Sequence, residues 1–130
     1  MNKQIEYYQN KLDYEMDPSD VFEALERGDG IIPLDARRSK AYEKEHIPGA
    51  LNIPHREMDE KSTGNLDKTK LYACYCSGVG CNASTRGALK MTKLGFRVKE
   101  VIGGIEHWKK DGYATEGTHS IEGLLVKCEC

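Results

Sequence analysis

One run of five apolar residues, Leu71–Tyr75, leads directly into a loop with two glycines and then into a helical pattern. An uninterrupted apolar run of this length is typical of a strand that is buried on both faces of a parallel sheet. Strand-like and helix-like segments alternate along the rest of the chain, with strands predicted at 31–35, 50–53 and 98–102 and helices at 5–12, 18–27, 40–44, 84–93 and 105–110. This alternation predicts an α/β fold of three layers, in which helices flank a mainly parallel central sheet.

The length of 130 residues fits one domain that can bury a core without disulfide staples. Residues 1–15 are predicted to form an N-terminal helix, residues 16–115 the domain itself, and residues 116–130 a tail that carries Cys128 and Cys130. Asp17 is a plausible N-cap with Pro18 at the first helical position, and Gly28 ends that helix. Pro33 is the one objection to a strand at 31–35, because proline is tolerated only at strand starts and edges.

Net charge and hydropathy argue against nucleic acids and membranes as partners. Nineteen basic residues against 21 acidic ones give a net charge of −2 without any basic run, which argues against nucleic acid as a partner. A mean hydropathy of −0.65 argues against a membrane-spanning protein. The N-terminus has no apolar signal region, so we expect an unexported, cytoplasmic protein with no membrane partner.

Five cysteines are an odd number in a chain that needs no disulfide framework, and in a reducing compartment they indicate catalysis, redox chemistry or metal binding. Cys76 follows the predicted central strand at the sheet edge where α/β proteins bind ligands. Gly78 and Gly80 allow the loop amides to form an anion-binding nest, and a helix N-terminus follows. Both effects favour thiolate over thiol, so the loop suits a reactive cysteine or an anionic ligand.

Two groups of motifs follow one another along the chain. The first group is Leu34-Asp35-Ala36-Arg37 with His46-Ile47-Pro48-Gly49-Ala50-Leu51-Asn52-Ile53-Pro54. The second is Tyr75-Cys76 with its loop, Leu94-Gly95-Phe96, and Val101-Ile102-Gly103-Gly104-Ile105 with Trp108. In this order the two groups resemble the rhodanese-like sulfurtransferase domains, over about residues 16–113. Several ordered motifs at matching separations are far more specific than any single one.

The resemblance implies that a loop cysteine takes a sulfane sulfur from thiosulfate or a persulfide donor and passes it to a thiophilic acceptor. The acceptor would be a thiol, a cyanide-like molecule or a protein thiol, and no metal or organic cofactor is implied. The candidate nucleophiles are Cys76 and Cys81, and Asp35 and Arg37 are candidate supporting residues. The candidate substrate-binding residues surround the two cysteines: Ser77, Gly78, Val79, Gly80, Asn82, Ala83, Ser84 and Arg86.

The loop departs from the family pattern in two ways. The first departure lies in the alignment of the loop: Ala83 stands where the family usually has a basic residue, and the loop after Cys76 is two residues longer than usual. The second departure is the additional thiol of Cys81, which keeps the family's spacing to Arg86. The position directly after the strand favours Cys76 as the nucleophile. The missing basic residue argues against thiosulfate, since a dianion would need that charge, and leaves a persulfide donor at least as plausible.

The other thiols have simpler interpretations. Cys74 faces the same side of the strand as Cys76 and is predicted to be a small core residue. Three roles stay open for Cys81: a second persulfide site, a resolving thiol for Cys76, or a bystander. For Cys128 and Cys130 a tail with bystander thiols is favoured over sulfur relay or a soft-metal site.

Several charged and aromatic residues also admit a structural interpretation. Asp35 and Arg37 are predicted to form an ion pair that orders the sheet edge, with tuning of the thiolate as the alternative. His46 is predicted to be a hydrogen-bonded structural histidine and Trp108 a core residue. For Arg86, attraction of an anionic donor and simple solvation are equally compatible with the sequence.

Two other functional classes compete with sulfur transfer. Phosphatases and arsenate reductases related to this fold close a cysteine loop on an arginine after five residues. Nine residues separate Cys76 from Arg86 and four separate Cys81 from it, so neither spacing fits. A redox or sulfide-sensing module that uses Cys76 and Cys81 as a pair stays compatible with the whole sequence.

Overall fold

The computed structural model describes residues 2–126, and all five strands in that range run parallel in one sheet. The strands are β1 (Glu15–Met16), β2 (Ile31–Asp35), β3 (Leu51–Asn52), β4 (Leu71–Tyr75) and β5 (Arg97–Val101). The helices are α1 (Lys3–Tyr14), α2 (Pro18–Arg27), α3 (Ser39–Lys44), α4 (Ala83–Lys93) and α5 (Gly104–Lys110), with a 3₁₀ turn at His55–Glu57. The strand order β1-β5-β4-β2-β3 puts β4 in the centre, as its apolar sequence predicted.

Helices cover both faces of the sheet, which confirms the predicted three-layer α/β architecture. One core cluster joins β2, β4 and β5 to α2 and α5, and includes Val21, Ala73, Tyr75, Ile105 and Trp108. The other lies toward α4 and includes Leu34, Tyr72, Cys74, Cys76 and Met91. Alternation along β4 therefore sends Cys74 and Cys76 to the α4 side. Within residues 2–126, no helix has both the length and the apolar composition needed to cross a membrane.

Helix α2 begins and ends as its sequence predicted. The Asp17 carboxylate accepts a hydrogen bond from the Asp20 amide at 2.9 Å, and the Asp20 carboxylate accepts one from the Asp17 amide at 3.1 Å. This reciprocal cap satisfies two amides that have no partner within the helix. Gly28 follows in the left-handed region at φ 70°, which ends the helix.

The edge strand β1 was not predicted from the sequence. Its two residues, Glu15 and Met16, pair with Glu100 and Val101 of β5 directly after α1. A strand of two residues shows no periodicity, so hydrophobic patterning cannot find it. Helix α1 itself is present as predicted, with no buried residue.

The first part of the predicted tail packs along the domain. The Glu116 amide donates to the carbonyl of His46 at 2.9 Å, and the Leu124 amide donates to the carbonyl of Gly112 at 2.8 Å. Cys128 and Cys130 lie outside the described residues.

Candidate active site

The loop after β4 is held in place by the first turn of α5. The Ile105 amide donates to the Cys76 carbonyl at 3.0 Å, and the Glu106 amide donates to the Ser77 carbonyl at 2.9 Å. Gly104 has φ 57°, and a side chain there would collide with the Cys76 carbonyl oxygen. Only glycine allows α5 to approach the loop this closely, so the Gly103-Gly104 motif fixes the position of Cys76.

Cys76 and Cys81 form a disulfide, with their Cα atoms 6.2 Å apart. This separation lies within the usual range for disulfides. Cys76 is 1% exposed in this state, and Cys81 is half-buried. The loop therefore stands in its oxidised form, in which the predicted nucleophile is neither free nor accessible. Of the three roles open for Cys81, this bond favours the resolving thiol.

The loop does not form the predicted glycine nest in this oxidised form. The Cys81 amide donates to the Gly78 carbonyl at 3.1 Å, which closes a turn, and neither Gly78 nor Gly80 has left-handed backbone. A side chain at Gly78 would meet only the carboxylate of Glu106, which is the end of an exposed side chain and can move aside. The expectation of a preformed nest is thus wrong for the disulfide-bonded loop, since the short Cys76–Cys81 link dictates a turn instead.

Amides free to bind an anion are found at the start of α4. In the described part of the chain, the amides of Ala83, Ser84 and Thr85 donate to no protein acceptor, and the N-cap Asn82 makes no side-chain cap. Unpaired amides and the helix dipole give this end of α4 a partial positive charge. Cys76, Cys81 and Ala83 line one cavity, so this charge lies beside the sulfur atoms.

That cavity has a volume of about 510 Å³ and is built at the carboxyl ends of three neighbouring strands. The loop after β4 contributes Cys76, Ser77, Cys81 and Ala83. The segment after β2 contributes Ala36, Arg37, Arg38, Ser39 and Ala41, and the segment after β3 contributes Pro54, His55, Arg56 and Glu57. The disulfide therefore faces a cavity in which arginines outnumber carboxylates.

Arg38, His55, Arg56 and Glu57 are the ionisable members of this cavity that the sequence analysis missed. They follow β2, which lies beside β4 in the sheet, and β3, which lies beside β2. Ligand binding at the carboxyl ends of strands, the rule that identified Cys76, also points to the segments after these strands, but it does not give the strand order that brings them to Cys76. Arg38 and Arg56 supply the positive charge that Ala83 does not.

The electrostatic field here is positive. Burial lowers the pKa of His55, and the charges of Lys90, Arg56 and Arg86 lower it further. A histidine whose pKa is held below its ordinary value of 6.5 is neutral at pH 7. Arg86 lies in a neighbouring groove with His55 and Arg56, outside the cavity of the cysteines.

The remaining candidate substrate-binding residues lie on the other side of the loop. Together with Cys81 they line a separate depression of about 240 Å³ and comprise Gly78, Val79, Gly80, Asn82 and Ser84. The Ser84 hydroxyl donates to Oε2 of Glu100 at 2.9 Å, so it is committed to β5. Ser77 and Ala83 therefore lie in the same cavity as Cys76. The other five candidates, Gly78, Val79, Gly80, Asn82 and Ser84, line the separate depression instead.

Asp35 and Arg37 form the predicted structural ion pair. Asp35 is fully buried, and its carboxylate accepts hydrogen bonds from Nη2, Nε and the backbone amide of Arg37 at 2.7, 3.0 and 2.9 Å. Nη2 of Arg37 also donates to the Glu45 carbonyl at 2.6 Å. Burial disfavours the charged guanidinium, yet hydrogen bonding and the charge of Asp35 leave the pKa of Arg37 raised. The pair ties the end of β2 to the segment after α3.

Three other predictions are confirmed. Cys74 is a buried core thiol, and its burial raises the pKa well above the ordinary value, with smaller effects of Glu100 and Asp35. His46 is hydrogen-bonded through Nδ1 to the Tyr42 carbonyl at 2.7 Å. Trp108 is fully buried, and its Nε1 donates to a backbone carbonyl.

Comparison with known proteins agrees with this architecture. The thiosulfate sulfurtransferase GlpE of Coxiella burnetii is 34% identical over 92 residues, which cover 69% of this chain and 81% of that protein. A sulfur carrier protein of Bacillus subtilis, YrkF, is 34% identical over 76 residues, which cover 58% of this chain and only 40% of that longer protein. The crystal structure of the BH2092 protein from Bacillus halodurans is 40% identical, with a TM-score of 0.87 over 97% of this chain and 94% of that one.

The model of the rhodanese-like domain matches residues 17–111, from the cap of α2 to the end of α5. The matched segment contains every strand except β1 and all the residues that line the cavity of the cysteines. With this match over most of its length, the chain belongs to the rhodanese-like domain family, in which relatives carry the name sulfurtransferase.

Proposed function

We propose that this protein is a sulfurtransferase that moves a sulfane sulfur from an anionic donor to a thiophilic acceptor through a persulfide on Cys76. The observation that carries the proposal is the placement of Cys76 at the carboxyl end of the central strand, in a cavity with Arg38 and Arg56. The name thiosulfate sulfurtransferase, borne by a relative with 34% identity, supports the same reaction class.

The chemistry starts from the reduced loop. The Cys76 thiolate attacks the outer sulfur of the donor, the donor's sulfur–sulfur bond breaks, and sulfite or a thiolate leaves with the electron pair. The acceptor then attacks the terminal sulfur of the persulfide and returns Cys76 as a thiolate. The Cys76 thiolate and its persulfide are both anionic. The unpaired amides at the start of α4 therefore stabilise them, as the donors of an oxyanion hole stabilise negative charge.

The donor is proposed to be thiosulfate or a low-molecular-weight persulfide. The absence of a basic residue at position 83 argued against a dianion, but Arg38 and Arg56 line the cavity from the segments after β2 and β3. Their charges raise the local concentration of anionic donors. The acceptor is a thiol or cyanide-like small molecule, or a protein thiol.

The test is mass spectrometry of the reduced protein after exposure to thiosulfate or, separately, to glutathione persulfide. Native protein is compared with Cys76→Ser and Cys81→Ser, and thiocyanate is measured after cyanide is added. We expect one additional sulfur on Cys76 of the Cys81→Ser protein, in which the loop disulfide cannot form. Cyanide should remove this sulfur, and Cys76→Ser should not acquire it. Failure of both donors to leave a cyanide-labile sulfur on the Cys81→Ser protein would sink the proposal.

The disulfide favours one alternative, a redox module built on the same pair. Such a module would convert the two loop thiols to a disulfide on exposure to an oxidant and would transfer no sulfur. The same experiment separates the two functions, because only the transferase yields thiocyanate from the Cys81→Ser protein.

A further inference from the structure

The sulfur of Cys81 is bonded to Sγ of Cys76 itself, with the Cα atoms 6.2 Å apart. The backbone on both sides of this link is anchored. The Cys76 and Ser77 carbonyls accept from α5, and the Cys81 amide closes a turn on Gly78. A thiol so placed reaches Sγ of Cys76 whenever the loop adopts this conformation.

We propose that Cys81 resolves the Cys76 persulfide and releases its terminal sulfur as hydrosulfide, so that the protein reduces sulfane sulfur as well as transferring it. This inference rests on the proposed function, which supplies the persulfide. Cys81 enters as a thiolate after its proton has gone to solvent, and it attacks Sγ of Cys76. The bond between Sγ and the terminal sulfur breaks, and that sulfur takes the electron pair and a proton from solvent and leaves as HS⁻. Two thiols are oxidised to a disulfide while one sulfane sulfur is reduced to sulfide.

The two possible sites of attack give different products. Attack on the terminal sulfur would move it to Cys81 and return Cys76 as a thiolate, with no bond between the two Sγ atoms. Attack on the inner sulfur joins Sγ to Sγ, and this is the bond that the structure contains. The observed loop conformation therefore matches the product of sulfide release.

The surroundings suit both the attacking and the leaving group. Cys81 is half-buried and reaches solvent, whereas Cys74, on the same side of the sheet, is fully buried. Burial keeps the Cys74 thiol protonated, so it cannot compete as the resolving group. The departing HS⁻ faces the cavity with Arg38 and Arg56, whose charges favour an anion.

The disulfide must then be reduced by a dithiol, or by two equivalents of a low-molecular-weight thiol such as glutathione. Cys76 is 1% exposed and Cys81 is half-buried, so an incoming thiolate reaches the sulfur of Cys81. Attack there expels Cys76 as the thiolate. The first step of reduction therefore regenerates the Cys76 thiolate, which is the group that takes up the next sulfur.

A single-turnover experiment tests the inference. The full chain is reduced, freed of reductant under anaerobic conditions and mixed with one equivalent of glutathione persulfide. Hydrosulfide is followed with a sulfide-selective electrode, and the protein is analysed by intact and peptide mass spectrometry. Cys81→Ser removes the resolving thiol. The double variant Cys128→Ser and Cys130→Ser is the matched control, since it removes two thiols but keeps the loop pair.

We expect the native chain and the tail variant to release hydrosulfide and acquire the loop disulfide. Cys81→Ser should release it at least about tenfold more slowly, because an intramolecular thiol acts at high effective concentration, and should keep a cyanide-labile sulfur. Equal retention of sulfur by native and Cys81→Ser proteins would overturn the inference and leave the transferase standing. Sulfur mapped to Cys81, or loss of release in the tail variant, would also overturn it. Only a Cys81→Ser protein that takes up no sulfur would count against the transferase itself.

Discussion

Nη2 of Arg37 lies 2.7 Å from Oδ2 of Asp35, and this contact neutralises a carboxylate that has no exposed surface. The two side chains differ in exposure, since Arg37 keeps 11% of its side chain accessible. The pair joins the end of β2 to the Glu45 carbonyl and borders the cavity of the cysteines. Its removal should therefore affect the stability of the fold.

We expect Arg37→Met to lower the free energy of unfolding by about 3–5 kcal/mol, since it leaves the buried charge of Asp35 unpaired. Chemical denaturation measures this change. Lys11→Met is the control, because it breaks the exposed pair between Lys11 and Glu15 and should leave the denaturation midpoint unchanged. A midpoint for Arg37→Met equal to that of the control would contradict a structural role.

The buried thiol of Cys74 should resist alkylation in the folded protein. Burial raises its pKa above the ordinary value, so the reactive thiolate is scarce at neutral pH, and the side chain has no access to reagent. After mild reduction, iodoacetamide should modify Cys81, which is half-buried, and should spare Cys74 until denaturant is added. Peptide mass spectrometry gives the modified positions, and native-state labelling of Cys74 at the rate of Cys81 would refute the assignment.

The same thiol makes the stability of the protein depend on pH. Its pKa is raised in the fold, so the folded state prefers the protonated form, and stability should fall as pH rises above about 9.0, the ordinary value for a thiol. Burial also raises the pKa of Tyr75, which acts in the same direction. Denaturation between pH 8 and 11 should show a shallower fall for Cys74→Ala than for the native chain. Equal slopes for Cys74→Ala and the native chain would show that groups other than Cys74 cause the whole fall in stability with pH.

Gly87 in α4 is predicted to be a packing residue that cannot be enlarged while Cys74 is present. A methyl group there would lie 2.9 Å from Sγ of Cys74, 3.1 Å from Cε of Met58 and 3.3 Å from Cβ of Ala36. Overpacking costs about 1–3 kcal/mol and outweighs the gain in helix propensity of about 0.5–1 kcal/mol, so Gly87→Ala should destabilise the fold.

Removal of the sulfur relieves the closest contact. In a double-mutant cycle, Gly87→Ala should therefore cost less in the Cys74→Ala background, by about 0.5 kcal/mol or more. Strict additivity of the two changes would show that Met58 or the backbone, rather than Cys74, limits the space.

The order of strands and helices, apart from β1, could be predicted from the sequence because each of the other elements carries a local signal. The cap of α2 at Asp17 and the apolar run of β4 are examples. The objection raised by Pro33 disappears because β3 pairs only with Leu34 and Asp35, so β2 has one free edge at residue 33. Proline is tolerated where a strand has no neighbour to receive its missing hydrogen bond.

The cavity could be predicted only in part, because it depends on strand order, which periodicity does not encode. Cys76 was found from its own strand, whereas Arg38 and Arg56 follow β2 and β3, which the fold places next in order on one side of that strand. The pairing of Cys76 with Cys81 was one of three open roles, since sequence spacing does not report the conformation of a loop.

The arginines that the sequence did not identify provide the last prediction. Arg56 is exposed and borders both the cavity of the cysteines and the neighbouring groove that contains Arg86 and Lys90. If its charge attracts the donor, Arg56→Ala should lower kcat/KM for thiosulfate by roughly 3–10-fold at low salt. The rate of the native protein should fall with ionic strength more steeply than that of the variant, because salt screens the attraction that the variant lacks.

Lys110→Ala is the matched control, since it removes one exposed positive charge at the end of α5, and Lys110 lines neither the cavity nor the groove. It should leave kcat/KM and its salt dependence near the native values. Steady-state assays at several salt concentrations measure both quantities. An equal effect of the two substitutions would mean that net charge, and not the position of Arg56 at the cavity, governs the encounter with the donor.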